Sequence, residues 1–140
     1  MPSLNQFFLA DKVVVITGAT GVLGASMSLA VAEAGAKVAI LGRNAERAEA
    51  RAAAIRAIGG ECLVVLADVL DVDQMQAACD TIMHTWGRID GLVNAAGGNI
   101  PGATVGPGQN LFDLGIEDTR RAVDCETVVV DGGFNAFSGV

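Results

Sequence analysis

Tyrosine is missing from all 140 residues and histidine occurs once. The first absence removes the phenol as a proton donor. The second means that His84 cannot assemble a metal site on its own. His84 falls on a helical stretch beside Met83 and Trp86, where a structural or surface role is expected. Cysteine is sparse: Cys62, Cys79 and Cys125 stand far apart and near no histidine pattern. Neither a metal site nor a disulfide frame is expected from such spacing, and the thiols are expected to be buried. Positive charge is also scarce, with 9 Lys and Arg against 16 Asp and Glu, a net charge of −7. That balance argues against nucleic acid or an anionic membrane as a partner, since both need clustered basic residues. No apolar run approaches the length of a membrane span. Residues 1–12, MPSLNQFFLADK, lack the basic start, apolar middle and cleavage site of a signal peptide, so a cytoplasmic location is expected.

What is abundant is apolar. Hydrophobic residues make up 51% of the chain and charged ones only 18%, the balance of a folded domain rather than a disordered segment. The length suits one domain, 1–140, with a real core. KVVVIT (12–17) reads as a strand buried on both faces. A helix follows over 22–34, with Ala25, Leu29, Ala32 and Ala36 at helical spacing and Gly35 at its end. KVAIL (37–41) is a second strand. Asn44 can cap a helix that turns Ala48, Ala52 and Ile55 inward and Arg47, Glu49, Arg51 and Arg56 outward. CLVVLA (62–67) is a third strand. Asp71 with Gln74 has the form of a capping box, and the helix behind it stripes Met75, Ala78, Cys79, Ile82, Met83 and Trp86 along one side as core. RIDGLVNA (88–95) supplies a fourth strand. Strands alternating with helices through short loops predict a parallel α/β sheet, doubly wound in the Rossmann manner, with about four or five strands. Residues 97–110 hold five glycines and two of the three prolines, and so read as a loop. A short helix over 116–124 and a strand TVVV (127–130) are expected beyond it.

The stretch VITGATGVLG (15–24) carries the first functional signal. A strand, a glycine turn and a helix together aim free backbone N–H groups at a phosphate. Gly18 permits the sharp exit from the strand, and Gly24 lets the helix approach the sheet. Thr20 and Gly21 sit where hydroxyl and backbone reach a pyrophosphate. An ordinary βα turn is the plain alternative, and the position in the first unit of a parallel sheet favours nucleotide binding.

TGATGVLG resembles the Thr-Gly-x-x-x-Gly-x-Gly pattern of the short-chain dehydrogenase/reductase family, with Val22 at the place of the middle glycine and Gly21 one step earlier. ADVLD is similar to the segment after the family's third strand, which implies that Asp68 and Val69 border the adenine. GRIDGLVNAAG is similar to the family's fourth strand, which implies that Asn94, Ala95, Ala96 and Gly97 flank the ribose and nicotinamide. VVVDGGF resembles the last strand. GVLG, NAAGGN, PGAT and GGFNAFSGV most resemble the D-mannonate oxidoreductase (fructuronate reductase) branch. The resemblance implies a homo-oligomer that binds NAD or NADP and moves hydride to or from a sugar acid. Gly18, Thr20, Gly21, Leu23 and Gly24 then belong to the cofactor cradle.

At the end of the second strand, where an acid commonly reads the ribose 2′-hydroxyl, stands Gly42, followed by Arg43 and Asn44. A guanidinium beside the 2′ oxygen suits a phosphate, so these residues lean to NADP, while the branch resemblance points to NAD. A solvated arginine at a strand end is the bland alternative.

The family's catalysis rests on a Ser and a Tyr-x-x-x-Lys pair. No catalytic residue can be placed here. Tyrosine is absent, and Lys12 and Lys37 open early strands on the side away from the nucleotide. EDTRRAVDCE is similar to the start of the helix after the fourth strand, with Glu126 where the family has its catalytic Asn. The chain then passes directly into TVVVDGGF, which in the family lies much further on. The resemblance therefore implies that the segment with the fifth and sixth strands and the catalytic helix is missing, with an internal junction near 124–127. Two functions remain open: an oxidoreductase shortened internally, and a dinucleotide-binding or structural module without turnover. A small-molecule substrate is expected only if the catalytic segment exists. TVVV beside GLVNA would restore a fifth strand, and an unpaired apolar edge would otherwise invite association.

Overall fold

The computed structural model describes residues 8–97, 102 and 104–118. They divide between two compact units, 1–96 and 97–140. In the first unit strand and helix alternate: β1 (Val13–Thr17), α1 (Val22–Glu33), β2 (Lys37–Gly42), α2 (Ala45–Ala57), β3 (Cys62–Leu66), α3 (Val72–Trp86) and β4 (Gly91–Asn94). The four strands are parallel and lie in the order β3-β2-β1-β4. This is the predicted Rossmann-type sheet.

Successive strand residues point to opposite faces, so each strand contributes to two cores. Val14, Ile16, Val38 and Ile40 pack with Ala32 and Ala36 near α1 and with Ala48, Ala52 and Ile55 of α2. Val13, Val15, Ala39, Leu41 and Val65 pack on the opposite face with Ala78 and Ile82 of α3. Helices on both faces explain why β1 and β2 are apolar without alternation. Alanines on the inward helix faces leave room for the β-branched strand residues.

Two helices begin as the sequence predicts. Asn44 accepts from the Arg47 N–H at 2.8 Å, and Asp71 accepts from the Gln74 N–H at 3.0 Å. The inward stripe of α3 is narrower than expected. Ala78 and Ile82 are buried and Met75 and Trp86 pack beside them, but Cys79 and Met83 are exposed. A helix lying on one face of a sheet covers only a narrow arc of its surface, and these two residues fall outside it.

β4 is half the predicted length because side chains take over at both ends. Before it, the Asp90 carboxylate accepts from the Val13 N–H at 2.9 Å. After it, the Ala95 and Ala96 N–H groups turn to the Thr17 hydroxyl instead of extending the ladder. Asp90 also accepts from Arg88 Nε at 2.8 Å and lies 3.7 Å from Lys12 Nζ. The Arg88 hydrogen bonds, with that of the Val13 N–H, hold the Asp90 pKa down to about 2, against an ordinary 3.8. A depressed carboxylate stabilises the fold above its unfolded pKa and loses that contribution as pH falls through the folded value. Urea midpoints of wild type and Asp90→Asn are therefore expected to differ above about pH 5 and to converge toward about pH 2. A gap that stays constant with pH would refute this assignment.

In the second unit residues 104–110 form turns and coil, as the glycine and proline content predicts, and a single 3-10 turn follows at Leu111–Asp113. Asn110 Oδ1 accepts from the Phe112 N–H at 2.8 Å, and Asp113 Oδ2 accepts from the Asn110 N–H at 2.7 Å. Residues 116–118 are helical. The rest of the predicted 116–124 helix, the TVVV strand, Cys125 and the 124–127 junction lie outside the described residues. No helix among the described residues is long and apolar enough to cross a membrane.

Candidate functional site

The carboxyl ends of the four strands finish level. Thr17 is in register with Leu41 on one side and Asn94 on the other, and Gly42 with Leu66. Gly18, Arg43, Asp68 and Ala95 therefore line a single edge of the sheet. The chain order reverses at β1, between β2 and β4, and parallel sheets leave their ligand crevice at such a point.

The glycine turn is built for close approach. Gly18 leaves β1 at φ +62, and a Cβ there would lie 2.6 Å from Ala95 C and from Ala96 Cα. No side chain fits under that backbone. Gly24 meets the turn as closely, for a Cβ on it would lie 2.8 Å from Ala19 Cα. Gly21 is the N-cap of α1 and offers no side chain to its opening N–H groups, in contrast to Asn44 and Asp71. No acidic residue occupies the first turn of α1 either. This end of the helix is thus left free for an external anion. Val22, at the place of the family's middle glycine, is 82% exposed, and Leu23 is likewise exposed, so neither disturbs the packing beneath.

Thr17, the first residue of the TGATGVLG pattern, completes the turn, a role the sequence alone does not give it. Its buried hydroxyl accepts from the Ala95 and Ala96 N–H groups, each at 3.2 Å, and donates to the Val93 carbonyl at 3.5 Å. One side chain thereby fixes the Asn94–Ala95–Ala96 backbone over Gly18. The signal available in the sequence is the lone hydroxyl closing an otherwise apolar VVVIT.

The ribose end has its own geometry. A Cβ on Gly42 would lie 2.9 Å from Thr20 Cγ2, so an acid cannot stand there unless Thr20 moves. Arg43 Nη1 lies 3.6 Å from Asp68 Oδ2. Asp68 is itself held: Oδ1 accepts from the Leu70 N–H, and its own N–H donates to Gln74 Oε1, both at 3.0 Å. The predicted capping box forms only its first half. Instead of reaching the Asp71 N–H, the Gln74 side chain bonds Asp68 and donates to Asp71 Oδ2 at 2.7 Å. Its backbone N–H and then its side-chain amide lower the Asp71 pKa from the ordinary value. Val69 is half-buried against the α3 face of the sheet. Asn44 uses its side-chain oxygen as a helix cap. Gly97 is exposed in the second unit.

The remaining candidates lie elsewhere. Lys12 pairs with Asp90, and Lys37 with Glu61 at 3.1 Å, both at the amino ends of the strands. Cys62 is half-buried, and burial pushes its thiol up to about 11. Cys79 is exposed, contrary to the expectation of buried thiols, because it lies outside the covered arc of α3. No group of three metal-ligating side chains occurs among the described residues.

A family model described as short chain dehydrogenase matches residues 12–126, which include the glycine turn and all four strand ends. The chain belongs to the short-chain dehydrogenase family. Among its relatives, an uncharacterized oxidoreductase, UxuB of Bacillus subtilis, is 43% identical over 114 residues, covering 76% of this chain and 41% of that protein. A crystal structure from Haemophilus influenzae, assigned as a D-mannonate oxidoreductase with bound NAD, superposes with a TM-score of 0.75 at 28% identity. That match covers 86% of this chain and 47% of the other. A short-chain type dehydrogenase/reductase from Mycobacterium marinum gives 0.76 at 34% identity, covering 89% and 48%. This short-chain dehydrogenase chain therefore spans less than half the length of each of these relatives.

Proposed function

We propose that the chain is a single NAD(P)-binding domain of a short-chain dehydrogenase whose parent reaction is hydride transfer on a sugar acid such as mannonate or fructuronate. The observation that carries this is the fit of Gly18 beneath Ala95 and Ala96, beside a helix start that no side chain caps. Gly18, Thr20, Gly21, Leu23 and Gly24 would hold the pyrophosphate. Arg43 and Asn44 would face the adenosine ribose, Asp68 and Val69 the adenine, and Asn94, Ala95, Ala96 and Gly97 the nicotinamide end. The bound cofactor supplies the hydride. The chain's own residues place and orient it. The sugar-acid assignment draws support from the branch resemblance and from the Haemophilus relative assigned as a mannonate oxidoreductase.

Gly42 and Arg43 favour NADP, and the relative with bound NAD favours NAD, so both dinucleotides belong to the proposal. The 140 residues hold no tyrosine and only Lys12 and Lys37, both committed elsewhere, which supports binding without turnover. We further propose that the protein is a cytoplasmic homo-oligomer, as the family resemblance implies. Titration of NADH and NADPH against a purified 14.2 kDa chain is expected to show saturable binding of at least one of them. No NAD(P)-dependent oxidation of mannonate is expected. Absence of saturable binding would overturn the proposed site. Turnover by a species of that intact mass would overturn the separation of binding from catalysis.

A further inference from the structure

We infer that Asp68 is a specificity-determining residue: as counter-charge to Arg43, it sets how strongly the site prefers a 2′-phosphate to a 2′-hydroxyl. The inference rests on the dinucleotide site proposed above and assigns Asp68 a role beyond lining the adenine. Arg43 is 78% exposed on its side chain and carries one ion pair among the described residues, to Asp68. Asp68 has little freedom to turn away. Its N–H is tied to Gln74, one carboxylate oxygen takes the Leu70 N–H, and the other is the oxygen nearest Arg43. Gln74 is in turn fastened to Asp71 at the start of α3. The carboxylate is therefore presented to the guanidinium by the fold.

Any anion drawn to Arg43 meets Asp68 as well. A phosphate on the ribose feels attraction from one and repulsion from the other, whereas a neutral hydroxyl feels little of either. Gly42 leaves the end of β2 without an acid of its own, and Thr20 fills the space where one would stand. Discrimination at this edge thus rests on the balance of Arg43 against Asp68. Adenine contacts are common to NADH and NADPH, so any role of Asp68 toward adenine cancels in the ratio of their dissociation constants.

The test is a fluorescence titration of the full chain with NADH and NADPH, for wild type, Asp68→Asn, Arg43→Gln and the double variant. Asp68→Asn is expected to shift the ratio toward NADPH by about three- to tenfold, an exposed charge-pair effect that shrinks at high salt. In the Arg43→Gln background the same change should still shift the ratio toward NADPH, because the carboxylate repels a phosphate with or without the guanidinium, but by less, since the part that Asp68 exerts by engaging Arg43 is gone. Asp68→Ser also keeps an oxygen for the Leu70 N–H and should shift the ratio in the same direction. If Asp68→Asn and Asp68→Ser weaken or strengthen both cofactors equally, this inference is overturned while the site stands. If wild type binds neither dinucleotide, the site and the inference fall together.

Discussion

Gly18→Ala is expected to destabilise the protein by at least about 3 kcal/mol, combining left-handed backbone strain with overpacking against a fixed backbone. The contacts are with Ala95 and Ala96, which cannot yield as the end of a flexible side chain would. Gly59 provides the control, since it has φ +82 but nothing within 4 Å of an added Cβ. Gly59→Ala should cost only the strain, about 1–2 kcal/mol. Urea unfolding of the two variants separates the terms, and equal losses would show that the close approach at Gly18 contributes nothing. Gly18→Ala should also abolish saturable NADH binding at any concentration where the variant is still folded.

Thr17→Val has the second largest expected effect. Valine keeps the shape of threonine and the packing of β1, but it leaves the Ala95 and Ala96 N–H groups without their acceptor. Two part-buried donors left unpaired cost about 2 kcal/mol or more in total. The loss should be local, with faster hydrogen exchange at residues 95 and 96 and little change along the β1–β2 pairing. Dinucleotide affinity should fall about tenfold or more, because the segment over Gly18 is no longer held in one geometry. Thr17→Ser keeps the hydroxyl and should retain affinity. If valine and serine behave alike, Thr17 acts by packing alone.

Much of this was legible in the chain because the signals are local. KVVVIT and KVAIL are apolar throughout, which in a short run means burial on both faces, and both form inner strands of the sheet. Asn44 and Asp71 stand just before helical periodicity, and both cap the helices they precede. The glycine spacing of TGATGVLG points to the family, and the structure puts those glycines at the turn between β1 and α1. Less legible was the width of a buried face. Met75 to Trp86 repeats apolar residues so fully that Cys79 and Met83 read as core, and only the position of α3 on the sheet decides which of them water reaches.

The sequence by itself determined the order of strands and helices, the parallel sheet, the family and the lack of a tyrosine for proton transfer. Each depends on residue type, near-neighbour periodicity or simple presence. Tertiary structure alone decided that Thr17 ties β1 to the turn after β4, that Asp90 replaces a ladder bond of β1, and that Asp68 faces Arg43. Those pairs are separated by 78 residues, 77 residues and the length of a helix and strand, respectively. Hydrogen bonds and ion pairs act over a few ångströms, and only the register of four parallel strands brings such distant residues to the same edge.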